Sequence, residues 1–189
     1  MLLPFLLQMY VVFLTKFIIN FFFFLTRFQP DLPIGHYVKR SDSNIYFWDA
    51  AGNVKIMDAL NLPVVDFCTG ADYIAFITMD GKLYCKAETS TSASSCGLST
   101  FSPSLGKQFE QVTDGLPPGS PVTKLSCGTN HLLVIINTDG GVYAVGYGAA
   151  ANSVSVRRSF APVSGAALTG KRIVDIVATS ERSLLLDSN

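Results

Sequence analysis

The side chains in this chain that could do chemistry are two histidines, His36 and His131, four cysteines and a scatter of acids. A catalytic histidine needs a nucleophile to activate and an acid to orient it. His131 instead opens an apolar run, Leu132 to Ile136, and its position recurs along the chain as Tyr73 and Arg182. A general base does not change identity so freely from copy to copy, so His131 reads as structural. A zinc site needs ligands at close spacing, and Cys68, Cys85, Cys96 and Cys127 contain no C-x-x-C pair. Cys68 and Cys127 lie in strand-like apolar runs, where a free thiol packs as a small core residue. Buried thiols are therefore expected, with two disulfides in one of three connectivities as the alternative. Residues Gly165 to Arg172, GAALTGKR, nearly match a phosphate loop. Arg172 replaces the hydroxyl that would hold Mg²⁺, and a strand-type run follows where a helix is needed. No catalytic residue, cofactor or metal is expected, and the chain does not read as an enzyme.

The elements around these residues fall into two parts. Residues 1–28 hold 8 of the 14 Phe and no Gly, with Lys16 and Arg27 as their only charges. Met1 to Leu25 would span a bilayer core as a helix. The many Leu, Ile, Val and Phe outweigh the insertion cost of Lys16. Arg27, Lys39 and Arg40 follow the segment and no basic residue precedes it, which places the remainder in the cytosol. A cleaved signal peptide and a poorly defined chain start are the alternatives. Residues 29–40 read as a linker and 41–189 as the folded part. The 189 residues carry 14 basic and 14 acidic side chains. Zero net charge, with only isolated basic pairs such as Arg157-Arg158, excludes a nucleic-acid patch.

Residues 41–189 show short apolar runs broken by Gly, Asp and Asn, the pattern of an all-β chain. One unit recurs. Residues 64–84 read VVDFCTGADYIAFITMDGKLY, and residues 122–143 read VTKLSCGTNHLLVIINTDGGVY. Each has an apolar strand, a Cys and Gly close together, an apolar run, an Asp-Gly turn and a strand ending in Tyr. Residues 173–189 begin a third copy, and NIYFWDAAGNVKIM at 44–57 is a fainter one. Asp-Gly between apolar strands is a hairpin signal, because Gly supplies φ > 0 without strain. The run Leu132 to Ile136 is continuously apolar, so its strand is covered on both faces. Hairpins covered on both sides fit blades stacked between blades, a β-propeller or another stacked β array. The Ser/Thr-rich stretch Thr89 to Ser104 reads as a long mobile loop.

The unit resembles the repeat of the regulator of chromosome condensation family. Its best copy is Leu125 to Gly146, where Cys127, Gly128, His131, Asp139, Gly140, Tyr143 and Gly146 match. The copy at 64–84 keeps Gly70, Asp80, Gly81 and Tyr84, with Tyr73 where the family prefers His. The last copy has Thr179 for the Gly and Arg182 for the His. The family's glycine-rich loop after the tyrosine strand is degenerate here. The resemblance implies a β-propeller, of which this chain has length for about three blades. Those blades are built from antiparallel hairpins and preceded by the N-terminal hydrophobic helix. It also implies a non-enzymatic protein-interaction module, with a small GTPase as a partner and guanine-nucleotide exchange as an activity. The alternative is a structural subunit or degenerate fragment of a larger propeller assembly, completed by self-association or by blades from another chain. The expected location is membrane-anchored with the repeats in the cytosol, or cytoplasmic or nuclear if the N-terminal segment is not genuine.

Overall fold

The computed structural model describes residues 36–39, 45–48, 54–57, 61–98, 108–136, 140–148 and 155–189. They form four antiparallel sheets in chain order. The first holds β1 (His36–Lys39), β2 (Ile45–Trp48) and β3 (Val54–Met57). The second holds β4 (Val64–Thr69), β5 (Tyr73–Thr78), β6 (Leu83–Ala87) and β7 (Glu110–Val112). The third holds β8 (Val122–Cys127), β9 (His131–Ile136), β10 (Gly141–Gly146) and β11 (Arg157–Pro162). The fourth is the pair β12 (Ile173–Ala178) and β13 (Ser183–Asp187). The fold is all-β, a partial propeller: two four-stranded blades stand between a three-stranded and a two-stranded one.

Local sequence explains the hairpins. In the β5–β6 turn the Gly81 amide donates to the Thr78 carbonyl at 2.8 Å, and Gly81 takes φ +76°. Gly140 takes φ +75° at the matching place before β10; its partner Asp139 lies outside the described residues. Space also demands glycine there. A Cβ on Gly81 would come within 2.3 Å of Pro121, and one on Gly140 within 2.6 Å of the Ile173 carbonyl oxygen. Each hairpin tip thus rests on the chain entering the next blade.

Packing follows from the two continuously apolar strands. All six residues of β5 and of β9 are buried. In β5, Ile74 and Phe76 join Ile45, Val64, Phe67 and Phe109 in a cluster on the side of the first blade. Phe76 stacks on Tyr84 and meets the ring of Phe109 edge-on. Tyr73, Ala75 and Ile77 face the other way, packing with Leu125, Leu132 and Val134 of the third blade. In β9, Leu133 and Ile135 point onward to Ile173, Ile176 and Ala178 of the fourth. Burying each such aliphatic side chain stabilises the stack by about 1.5–3 kcal/mol.

The leading strands β4, β8 and β12 lie side by side where the blades converge. Each carries a register shift, between Val64 and Asp66, Val122 and Lys124, and Ile173 and Asp175. A bulge frees a backbone amide and bends the strand. In β4 and β12 the aspartate after it accepts from the next amide, Phe67 at 2.9 Å and Ile176 at 3.0 Å.

Several expectations are corrected. The cysteines are not free thiols: Cys68 pairs with Cys127 and Cys85 with Cys96. Packing of neighbouring leading strands brings the first pair together: Cys127 lies one residue beyond Ser126, which holds the place of Cys68 in the repeat. The Ser/Thr-rich stretch is not wholly loop. Ser90–Ser95 forms a helix, α1, begun by a reciprocal Thr89–Ser92 cap and carrying four buried residues. The membrane-anchored placement is also corrected, since among the described residues no helix is long and apolar enough to cross a membrane. The hydrophobic helix expected over residues 1–28 lies outside the described residues. The phosphate-loop-like stretch forms a 3₁₀ turn, Ala166–Leu168, leading into β12.

Candidate interaction face

The repeat motif is a device for joining blades. The ring of Tyr73 lies back over Gly70, where an added Cβ would sit 1.8 Å from a ring carbon. His131 lies over Gly128 in the same way, at 1.9 Å, and that Cβ would also meet the Thr179 carbonyl oxygen at 2.5 Å. Glycine is therefore the residue that lets a ring fold back at this point. From there the rings reach the next blade. The Tyr73 hydroxyl lies 2.9 Å from the Gly128 carbonyl oxygen and also touches that of His131. His131 Nε2 lies 3.1 Å from Ser183 Oγ. In the last copy, with Thr179 and Arg182, the turn closes on itself through the Thr179 side chain, and Arg182 is exposed.

The electrostatics suit structure rather than catalysis. His131 is buried, and burial pushes its pKa down to about 4, so the ring is neutral near pH 7. Burial pushes the Tyr73 phenol well up. Asp80 is an exposed turn residue whose carboxyl is held low by hydrogen bonds from Lys82 and Thr78.

The other sequence-predicted residues divide by place. Gly70, Cys127, Gly128, His131 and Gly146 gather at the end of the blades where β5 and β9 begin. Asp80, Gly81 and Gly140 lie at the opposite, hairpin end. Tyr84 and Tyr143 sit half-buried within β6 and β10, opposite Phe76 and Val134. Among the described residues no cluster of His, Cys, Asp and Glu is arranged to hold a metal.

Sequence reasoning passed over the outward face of β13. Leu184 and Leu186 are 60% and 61% exposed. Leu185, between them, packs toward the third blade. In the repeat register Leu184 corresponds to Ala75 and Leu133, and Leu186 to Ile77 and Ile135. All four of those are buried against the following blade. Among the described residues β13 pairs with β12 alone. The signal was present in the repeat: aligning Tyr73, His131 and Arg182 puts both leucines on the blade-facing side.

No family model matches the chain, and no curated protein matches its sequence. Its fold does match solved structures. Human WBSCR16 superposes with a TM-score of 0.64 at 14% identity, over 82% of this chain and 43% of that one. The chain has an RCC1-like propeller fold. Prp20p from Saccharomyces cerevisiae, whose structure was described with its binding to Gsp1p and histones, gives 0.63 at 11% identity, over 82% and 42%. Yeast RCC1 (Prp20) in complex with Kap60 gives 0.62 at 13% identity, over 82% and 40%. The chain spans about two fifths of the length of the RCC1-like structures it matches.

Proposed function

We propose that residues 41–189 form a non-enzymatic protein-interaction module, that the repeat residues hold its blades together, and that its docking surface is the outward face and edge of β13. The observation carrying this reading is the exposure of Leu184 and Leu186, whose counterparts in two earlier blades are covered. An open strand edge beside an apolar face takes up another strand. A second copy of the chain supplies one. Two β13 strands paired antiparallel about Leu185 would set Leu184 opposite the partner copy's Leu186. The joined pairs would make four strands, the number in the second and third blades. Such a contact is symmetric and closes on itself. The reading treats the chain as part of a larger propeller assembly.

Binding of a small GTPase, with nucleotide exchange, is the finer reading. It is supported by the repeat resemblance and by the Gsp1p binding described for Prp20p. Exchange makes and breaks no covalent bond, so it needs no catalytic triad. Fold does not carry activity, so release of labelled nucleotide from a small GTPase must be measured directly. For the docking face, hydrogen exchange at rising protein concentration is the test. Slower exchange of the Leu184 to Leu186 amides at high concentration supports it. Rates that do not depend on concentration contradict it.

A further inference from the structure

The two disulfides differ in what they join and in their access to solvent. Cys85–Cys96 closes a short loop, tying β6 to the end of α1, and both residues are fully buried. Cys68–Cys127 spans 59 residues and joins the second blade to the third, at the ends of β4 and β8. Cys127 is buried, but Cys68 is only partly so. The third and fourth blades have no such bond, because Ser126 on β8 and Ala178 on β12 stand at the places of Cys68 and Cys127. That seam is held by the Ser126 hydroxyl accepting from the Ala178 amide at 2.9 Å, by His131–Ser183, and by the Lys124–Asp175 ion pair at 3.1 Å.

We propose that Cys68–Cys127 is a thiol–disulfide exchange site of the folded protein, a covalent clasp between two blades that a dithiol reductant opens and a disulfide oxidant closes. Exchange requires a thiolate to reach one sulfur of the bond. Of the four cysteines only Cys68 is partly buried, whereas Cys85 and Cys96 are both fully buried in the core between α1 and β6, so the Cys68 side is where a thiolate would approach. In the opening reaction one thiolate of the dithiol attacks Cys68 Sγ. The bond to Cys127 breaks, and Cys127 leaves as a thiolate that takes a proton from water. The second thiolate of the reductant then attacks the reductant's own sulfur in the mixed disulfide and releases Cys68. The reductant leaves as a cyclic disulfide, and its two electrons remain on the cysteine sulfurs. Glutathione disulfide runs the exchange in reverse, yielding two glutathione thiols. The clasp is therefore closed in an oxidising compartment and open in a reducing one.

Opening it leaves the joint between the second and third blades resting on the shared core, on Tyr73 and on the backbone hydrogen bonds from Ala71 to Thr129 and from Val122 to Gly81. The buried pair meanwhile keeps α1 fixed to the second blade. Redox state thus acts on one seam of the stack and not on the blades themselves.

The full chain, folded and without denaturant, is treated with dithiothreitol and quenched at intervals with an alkylating agent. Mass spectrometry then reads which cysteines are labelled. Cys68 and Cys127 are expected to label together, and on the order of tenfold or more faster than Cys85 and Cys96. The strand signal in circular dichroism should persist, and hydrogen exchange should quicken in β4 and β8. Four free thiols before any reductant is added would overturn the proposal. So would simultaneous opening of both pairs, earlier opening of Cys85–Cys96, or opening only as the strand signal is lost. A Cys85→Ala/Cys96→Ala variant gives a second reading: if it folds, its remaining bond should open at the rate seen in the unaltered chain.

Discussion

Tyr73 donates its hydroxyl to the carbonyl oxygen of Gly128, 55 residues away and one blade on, at 2.9 Å. The repeat uses the same position again, where His131 meets Ser183. One ring in each repeat thus spans a seam between blades, and the glycine before it provides the space. Tyr73→Phe keeps the ring and removes the link. Net hydrogen bonds contribute about 0.5–1.5 kcal/mol, and a stranded buried acceptor costs about 1–3. A loss of about 1–2 kcal/mol in denaturant unfolding is expected, with little change in circular dichroism. No change would mean that the hydroxyl is not seated as described.

Gly128→Ala tests the space beneath the ring. The added methyl would strike the His131 ring and the Thr179 backbone, and a backbone atom cannot swing aside. Overpacking of this kind costs about 1–3 kcal/mol. Gly70→Ala meets only the Tyr73 side chain among its nearest atoms and should cost less. Thermal melts of the two variants should rank in that order.

The neutrality of His131 makes stability depend on pH. Its folded pKa is about 4 against an unfolded value of 6.5. Above pH 6.5 both states carry a neutral ring and this contribution is complete. As pH falls from about 6.5 to about 4 the unfolded chain takes up a proton that the folded one refuses, and stability is lost. The loss is bounded at about 3 kcal/mol. His131→Gln should flatten the unfolding free energy over that window. An unchanged slope would assign the acid sensitivity to another group.

Much of this architecture is legible in the residues. The hairpins at Gly81 and Gly140 and the two-sided burial of Leu132 to Ile136 follow from turn chemistry and periodicity. The repeat also places Gly70, Gly128 and His131 in register. The Cys68–Cys127 bond was not legible, because the two cysteines meet only once neighbouring leading strands converge; each run by itself looks like packed core. Helix α1 was hidden because its serines and threonines are loop formers by composition. The Thr89–Ser92 cap turns them into a helix start. The exposed leucines of β13 look like ordinary core in the sequence, and only the blade count shows that nothing described lies across them.

Replacing Cys68 and Cys127 together by alanine, the residue the fourth blade carries at Ala178, removes a bond closing a 59-residue separation. The chain-entropy relation values such a link at about 4 kcal/mol. The double variant should unfold at lower denaturant concentration, with hydrogen exchange quickened first in β4 and β8. Equal stability with and without the bond would remove its role as a clasp.

The docking role of β13 is tested most directly by light scattering on the full chain across a range of concentrations, beside a Leu184→Asp/Leu186→Asp variant. Both side chains are exposed, so the substitutions should leave the strand signal intact. A mass that rises toward a dimer for the unaltered chain and stays monomeric for the variant is the predicted result. A monomer at every concentration for both, or a dimer that the aspartates do not disturb, would contradict it.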